Sequence, residues 1–187
     1  MKIESSLFIV ILMMSGILLG TNAVAANSDE TYFGFQYAQV EEDDLDLEPT
    51  AAVFRIGSMG DNGVGFEGRI GFGLSDDDVS ETVPIFGDIS AELDIDTILG
   101  IYLVGQANTG GAVSVYGIIG FTVVDYTIDI DLGTLGSESE SDDESDLSYG
   151  FGANFDVSDK VALNIEYMQY LDKDDIDASA ISFGLLF

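Results

Sequence analysis

Val64 to Leu74 reads V-G-F-E-G-R-I-G-F-G-L, and its alternation decides the fold of the whole chain. Val64, Phe66, Gly68, Ile70, Phe72 and Leu74 share one parity; Gly65, Glu67, Arg69, Gly71 and Gly73 share the other. A strand sends successive side chains to opposite faces, so one face is nearly all apolar and the other holds two opposite charges among glycines. A water-soluble core has no use for Glu67 and Arg69, and a solvent face has little use for so much glycine. A narrow tube accommodates both, because small residues relieve crowding along its inner wall and charges pair across it. The stretch therefore predicts one stave of a β-barrel turned inside out, with lipid against the apolar face.

Seven more segments repeat the pattern, which gives eight expected strands over residues 31–39, 50–57, 64–74, 91–105, 112–124, 147–155, 161–171 and 178–187. Outward positions include Phe33, Phe35 and Tyr37 in the first, Leu93, Ile95, Leu99 and Leu103 in the fourth, and Ile181, Phe183, Leu185 and Phe187 in the last. Strands of about 10 residues, tilted by about 40°, rise close to 25 Å, the height of the apolar band on an outer-membrane barrel. The expected fold is all-β: an eight-stranded antiparallel up-and-down transmembrane β-barrel.

The links alternate in length and chemistry. Short turns are expected at 58–63, 106–111 and 156–160, and longer or more acidic links at 40–49, 75–90, 125–146 and 172–177. About two dozen of the 35 acidic residues fall in the longer links and about three in the short turns. Alternate connections of a meander lie at one end, so one pole is intensely negative. The run from Ser137 to Asp146, S-E-S-E-S-D-D-E-S-D, is expected to be mobile and solvated.

A soluble barrel shows the same alternation with its faces exchanged, so parity alone does not choose. The acids gather in one set of loops instead of along the strands, the non-apolar face is rich in Gly, Ser and Asn, and aromatics sit near both rims. All three favour lipid outside. An apolar run from Leu7 to Leu19 follows Lys2 and leads to Ala23-Val24-Ala25-Ala26, the plan of a cleaved signal peptide. It is shorter than the roughly 20 residues that span a bilayer as a helix. The expected division is a signal peptide over 1–26 and a barrel domain over 27–187. The net charge of −30 leaves no affinity for nucleic acid, and the absence of Cys and His removes thiolate chemistry and the commonest catalytic base.

Tyr32-Phe33-Gly34-Phe35, Gly65 to Gly73 and above all the ending Ile181-Ser182-Phe183-Gly184-Leu185-Leu186-Phe187 resemble small bacterial outer-membrane proteins of the OmpA-barrel, OmpX and opacity-protein type. The resemblance covers the whole mature chain. It implies that the outer-membrane assembly machinery reads the last strand, with Phe183, Leu185 and Phe187 at the apolar positions of the signal. It also implies surroundings of outer-membrane lipid and lipopolysaccharide. Small-barrel lipid acylases, deacylases and omptin-like proteases rely on His, which this chain lacks.

Arg55, Arg69, Glu67, Glu92, Asp94, Asp96 and Glu166 are expected to share the lumen as a salt-bridge network. An Arg at mid-depth facing lipid would cost about 2–4 kcal/mol, so both arginines must point inward. Two cations against five acids leave the lumen short of positive charge, so some of these acids are expected to hold a proton or to sit near the mouth. Asp142, Asp143, Glu144, Asp172, Asp174 and Asp175 are candidate weak divalent-cation sites, to which Ca²⁺ or Mg²⁺ would bind diffusely. No other cofactor is expected. The expected role is that of a monomeric, non-enzymatic barrel with a structural or adhesin-like function through its acidic loops. The alternatives are a small cation-preferring pore and a lipid-modifying enzyme.

Overall fold

Where the outside of a sheet meets no water, every backbone N–H and C=O must find its partner within the sheet, and closing the ring does this for all strands at once. The computed structural model, described for residues 30–42, 47–83, 87–173 and 176–187, adopts that solution. The expected signal peptide lies outside the described residues. Among the described residues nine strands follow one another: β1 (Glu30–Glu42), β2 (Thr50–Met59), β3 (Val64–Ser75), β4 (Asp77–Val83), β5 (Gly87–Asn108), β6 (Val113–Asp131), β7 (Ser137–Ser158), β8 (Val161–Lys173) and β9 (Ile176–Leu186). Eight of them close the ring in the order β1-β2-β3-β5-β6-β7-β8-β9, all antiparallel. β9 returns to β1 from Gly34↔Leu186 to Glu42↔Ala178. The fold is the expected eight-staved barrel.

The parity of the opening stretch holds in three dimensions. On β3, Phe66 is 60% exposed on the outer surface, while Arg69 is 3% exposed in the bore. Phe35, Phe54, Phe121, Phe151 and Phe183 stand on the same outer surface. Glycines of the bore make room for tyrosines. Tyr32 lies directly across from Gly57, and a methyl group on Gly57 would collide with the phenol ring.

Two expected links are strands instead. The link 75–90 contains β4, which pairs with β5 alone, from Asp77↔Leu93 to Val83↔Gly87. The acidic run Ser137–Asp146, expected to be mobile, is the first half of β7 and pairs with β6 up to Asp131↔Ser137. The alternation Tyr126-Thr127-Ile128-Asp129-Ile130-Asp131 carries β6 onward, and its backbone templates the serine–acid run opposite. The turn between them is a short 3₁₀ segment, Gly133–Leu135, with Gly133 and Gly136 at φ 62° and 112°, values that favour glycine.

As a result β5 and β7 each have 22 residues and β6 has 19. On β6 the outward apolar residues run from Val113 to Val123 and stop at Asp125, a rise of about 25 Å at the usual tilt. Everything beyond Asp125 stands above the apolar band as a four-stranded flap in the order β4-β5-β6-β7. The short turns 60–63, 109–112 and 159–160 all lie at the opposite, lower end.

The bore is layered. Near its upper end Val53, Ile98, Met168, Tyr170 and Leu171 form a buried, largely apolar plug, and Leu47 of the β1–β2 link is buried as well.

Candidate functional site

Below the plug a charged belt crosses the bore. Arg55 on β2 and Arg69 on β3 are direct cross-strand partners, both inward, so two like charges would face each other without an acid between them. Glu67, two residues before Arg69 on the same face, supplies it. Its carboxylate accepts from Arg55 Nη2 at 2.5 Å and Nε at 2.9 Å, and from Arg69 Nε at 2.7 Å. Glu166 reaches across from β8 and takes both terminal nitrogens of Arg69, at 2.5 and 2.7 Å, with Arg55 Nη1 3.6 Å away. All four side chains are shielded from solvent.

Tyrosines complete the coordination. Tyr32 donates to Glu67 at 2.6 Å and Tyr116 to Glu166 at 2.6 Å. The guanidinium carbon of Arg69 lies 4.9 Å from the Tyr102 ring centroid. Asn164 donates to Tyr116 at 3.0 Å and accepts from Gln36 at 2.7 Å. Tyr102, Tyr116 and Asn164 fall on the inward parity of their strands, and their partners come from strands far apart in sequence. A cavity of about 680 Å³ opens at the lower end beneath the belt, lined by Tyr32, Arg55, Gln106, Ser114, Tyr116 and Asn154.

Glu92, Asp94 and Asp96 are not in the belt, which corrects the expected seven-membered network. A bulge between Ile95 and Thr97 inserts Asp96 into β5 and exchanges the two faces above it. Leu93 and Ile95 consequently turn inward, 5% and 4% exposed, and Glu92 and Asp94 turn outward. Asp96 is exposed on the outer face, where Thr127 donates to it at 2.9 Å. The belt is thus two arginines against two glutamates, and the other three expected acids stand above it, closer to the second of the two expected alternatives, a place near the mouth.

On the outer face of the flap the register sets acids opposite acids: Asp78 faces Glu92, Glu92 faces Asp129 and Asp125 faces Asp143. Like charges directly opposite destabilise a sheet. A hydrogen bond with Asp76, and the charge of that neighbour, raise the Glu92 carboxyl above its ordinary range. Asp94 is raised by partial burial and by Asp96, Asp76 and Asp129; Asp125 by partial burial and by Asp143 and Asp96.

The proposed divalent sites do not converge. Glu144 and Asp142 share the inner face, while Asp143 points to the outer one, because neighbours along a strand alternate. Asp172 at the top of β8 gives its backbone N–H to Asp146 at 3.1 Å. Asp174 and Asp175 lie outside the described residues. Among the described residues no three acids meet in a geometry that holds a metal ion.

The last strand forms the seam of the ring. Phe183 and Phe187 are 57% and 58% exposed on the outer surface, and Phe187 exchanges backbone hydrogen bonds with Phe33 at 2.8 and 3.0 Å. Leu185 is half-buried on the same strand.

A family model described as the outer membrane protein beta-barrel domain matches residues 9–187. Among solved structures, Ail, the attachment invasion locus protein of Yersinia pestis, in complex with the heparin analogue sucrose octasulfate, is 18% identical, with 85% of this chain and 97% of that chain covered at a TM-score of 0.53. Neisserial surface protein A is 13% identical, with 86% and 98% covered at 0.53. The N-terminal β-barrel domain of Pseudomonas aeruginosa OprF is 9% identical, with 86% and 100% covered at 0.52. At these identities the likeness is one of fold. Curated protein sequences give no significant match.

Proposed function

Because the chain belongs to the outer membrane protein beta-barrel family, we propose that its contribution is structural and surface-interactive, made by the acidic flap above a sealed bore. The observation that carries this reading is the length of β5 and β7, 22 residues each, about twice the 9–11 that a membrane crossing takes. Strand built so far beyond the bilayer presents a surface. The belt and the plug give a permeant ion no open path, which disfavours the pore. Glu67 and Glu166 are committed to arginines and face no open pocket as a carboxylate pair, and the chain has no His or Cys, which disfavours catalysis.

In the Ail structure the bound molecule is a sulfated polyanion. That ligand does not suit this flap, whose outer acids Asp78, Glu92, Asp125, Asp129 and Asp143 would repel it. In this reading the barrel is a monomer whose partners are outer-membrane lipid and lipopolysaccharide around the apolar band. The assembly machinery would meet Phe183, Leu185 and Phe187, and any Ca²⁺ or Mg²⁺ would be a loose counter-ion of the flap.

The test is to replace residues 127–141 by a short turn. The shortened barrel should still change its mobility on a detergent gel upon boiling, while cells expressing it lose attachment or divalent-dependent envelope integrity. Unchanged attachment and integrity would overturn the reading.

A further inference from the structure

The inner face of the flap continues the bore upward, and on β5 and β6 it stays apolar after the plug has ended. Two rows cross its four strands. Asp77, Leu93, Ile128 and Glu140 make the lower row; Val79, Ala91, Ile130 and Glu138 make the upper one. Each row has apolar residues at its centre and an acid on its β7 margin, and the lower row has one on the β4 margin too. Leu93 is buried, so the lower row rests on the barrel. Val79 is 50% exposed, Ile130 40% and Leu135 of the turn above them 67%. The outer face has no such strip: the row at Asp78, Glu92, Asp129 and Ser139 is wholly polar.

We propose that this strip docks one cationic, amphipathic segment of another polypeptide, a partner class that rests on reading the flap as a surface for interaction. Charge selects the occupant. A second copy of this chain, carrying −30, or a polyanionic glycan would be repelled by Glu138 and Glu140, which stand exposed along the strip. A polycation without an apolar stripe would find as much charge on the outer face and would have no reason to choose the inner one. Only a segment with both features gains from both, its apolar side on Val79 and Ile130 and its Lys or Arg side chains on the β7 margin. The two margin strands of a four-stranded sheet lie about 14 Å apart, and a helix with its side chains is about 10–12 Å thick, so the strip takes one such element between its margins.

The experiment uses the full barrel in zwitterionic lipid nanodiscs, with empty nanodiscs as the blank. The probe is a Leu/Lys peptide of about 18 residues with helical periodicity, compared with a scrambled isomer and with heparin. Saturable one-to-one binding of the amphipathic peptide is expected, at least tenfold tighter than that of the scrambled isomer. Val79→Ser with Ile130→Ser should weaken it at least tenfold, and so should Glu138→Gln with Glu140→Gln. Asp129→Asn on the outer face should leave it unchanged. Salt at about 1 M, where screening acts within about 3 Å, should weaken binding to the parent.

Equal binding of the scrambled isomer or of heparin would overturn the proposal, and so would full affinity in the Val79/Ile130 variant. A boiling-dependent gel shift identifies the variants that fold. Cell attachment separates the two levels. If the shortened barrel loses attachment but the Val79/Ile130 variant keeps it, the docking strip is wrong and the surface role stands. If neither loses it, both are wrong.

Discussion

Replacing Arg69 by Met removes the cation on which the belt is centred. Its guanidinium makes three charge-assisted hydrogen bonds, one to Glu67 and two to Glu166. Without it two buried carboxylates share Arg55 alone, and Glu166 retains only the 3.6 Å approach of Arg55 Nη1 and the Tyr116 hydroxyl. Removing one member of a buried ion pair costs about 3–5 kcal/mol, chiefly because the other charge is left uncompensated. Arg69 serves two acids, so the upper part of that range is expected. With a urea dependence of about 1–3 kcal/mol per molar, the unfolding midpoint in liposomes, followed by far-ultraviolet circular dichroism, should fall by roughly 1.3–5 M.

The companion variant tests the reason as well as the size. Arg69→Met combined with Glu166→Gln leaves Arg55 and Glu67 as a balanced pair and should recover about 2–3 kcal/mol of the loss. A single variant within about 0.5 kcal/mol of the parent, as an inert surface change would be, would refute the belt as a stabilising network. A double variant no more stable than the single one would show that lost packing on Tyr102, not unpaired charge, is responsible.

Three further outcomes are expected. Gly57→Val should destabilise the barrel by about 1–3 kcal/mol through overpacking against Tyr32, and adding Tyr32→Ala should return part of the loss; equal stability of parent and Gly57→Val in urea would count against the close fit. Pairing of the flap strands makes Glu92, Asp94 and Asp125 hold protons more tightly than the unpaired chain does. Stability of the flap is therefore gained as pH falls through their raised values toward the ordinary carboxylate range of about 4, and lost as pH rises to neutrality. Hydrogen exchange of β5 and β6 above Asp96 should slow on acidification and on adding salt at neutral pH, and faster exchange at low pH would contradict the like-charge ladder. In planar bilayers the parent barrel should show no discrete conductance steps; reproducible cation-selective steps would mean that the belt and the plug do not close the bore.

The eight staves, their outward faces outside the stretch above Asp96 on β5, and the inward direction of Arg55, Glu67, Arg69 and Glu166 were legible along the chain. The period of two needs only local residues, and a charge among glycines can face only the bore when lipid lies outside. The belt's composition was not legible. Membership depended on the bulge at Asp96, a single added residue that leaves the alternation of letters intact while exchanging the faces above it. Glu92 and Asp94 therefore read as lumen residues and stand outside it. Nor did the run Ser137–Asp146 announce a strand: serine and acid alternate there with little β preference of their own, and the run is extended because Tyr126 to Asp131 lie beside it and supply backbone partners.

What the sequence settled by itself is therefore the class of the molecule: a ring of strands with oil outside, short turns at one end and acids at the other. Each of those follows from a neighbour-to-neighbour pattern that any strand must obey. What only the tertiary structure decided is which residues meet. Arg69 and Glu166 are 97 residues apart and share a bidentate contact. The acids that face one another across the flap, and the apolar strip behind them, exist only once the register of four strands is fixed. Register is a property of the closed ring, set by bulges and turns whose effects add up around it, and no single strand carries that sum in its own letters.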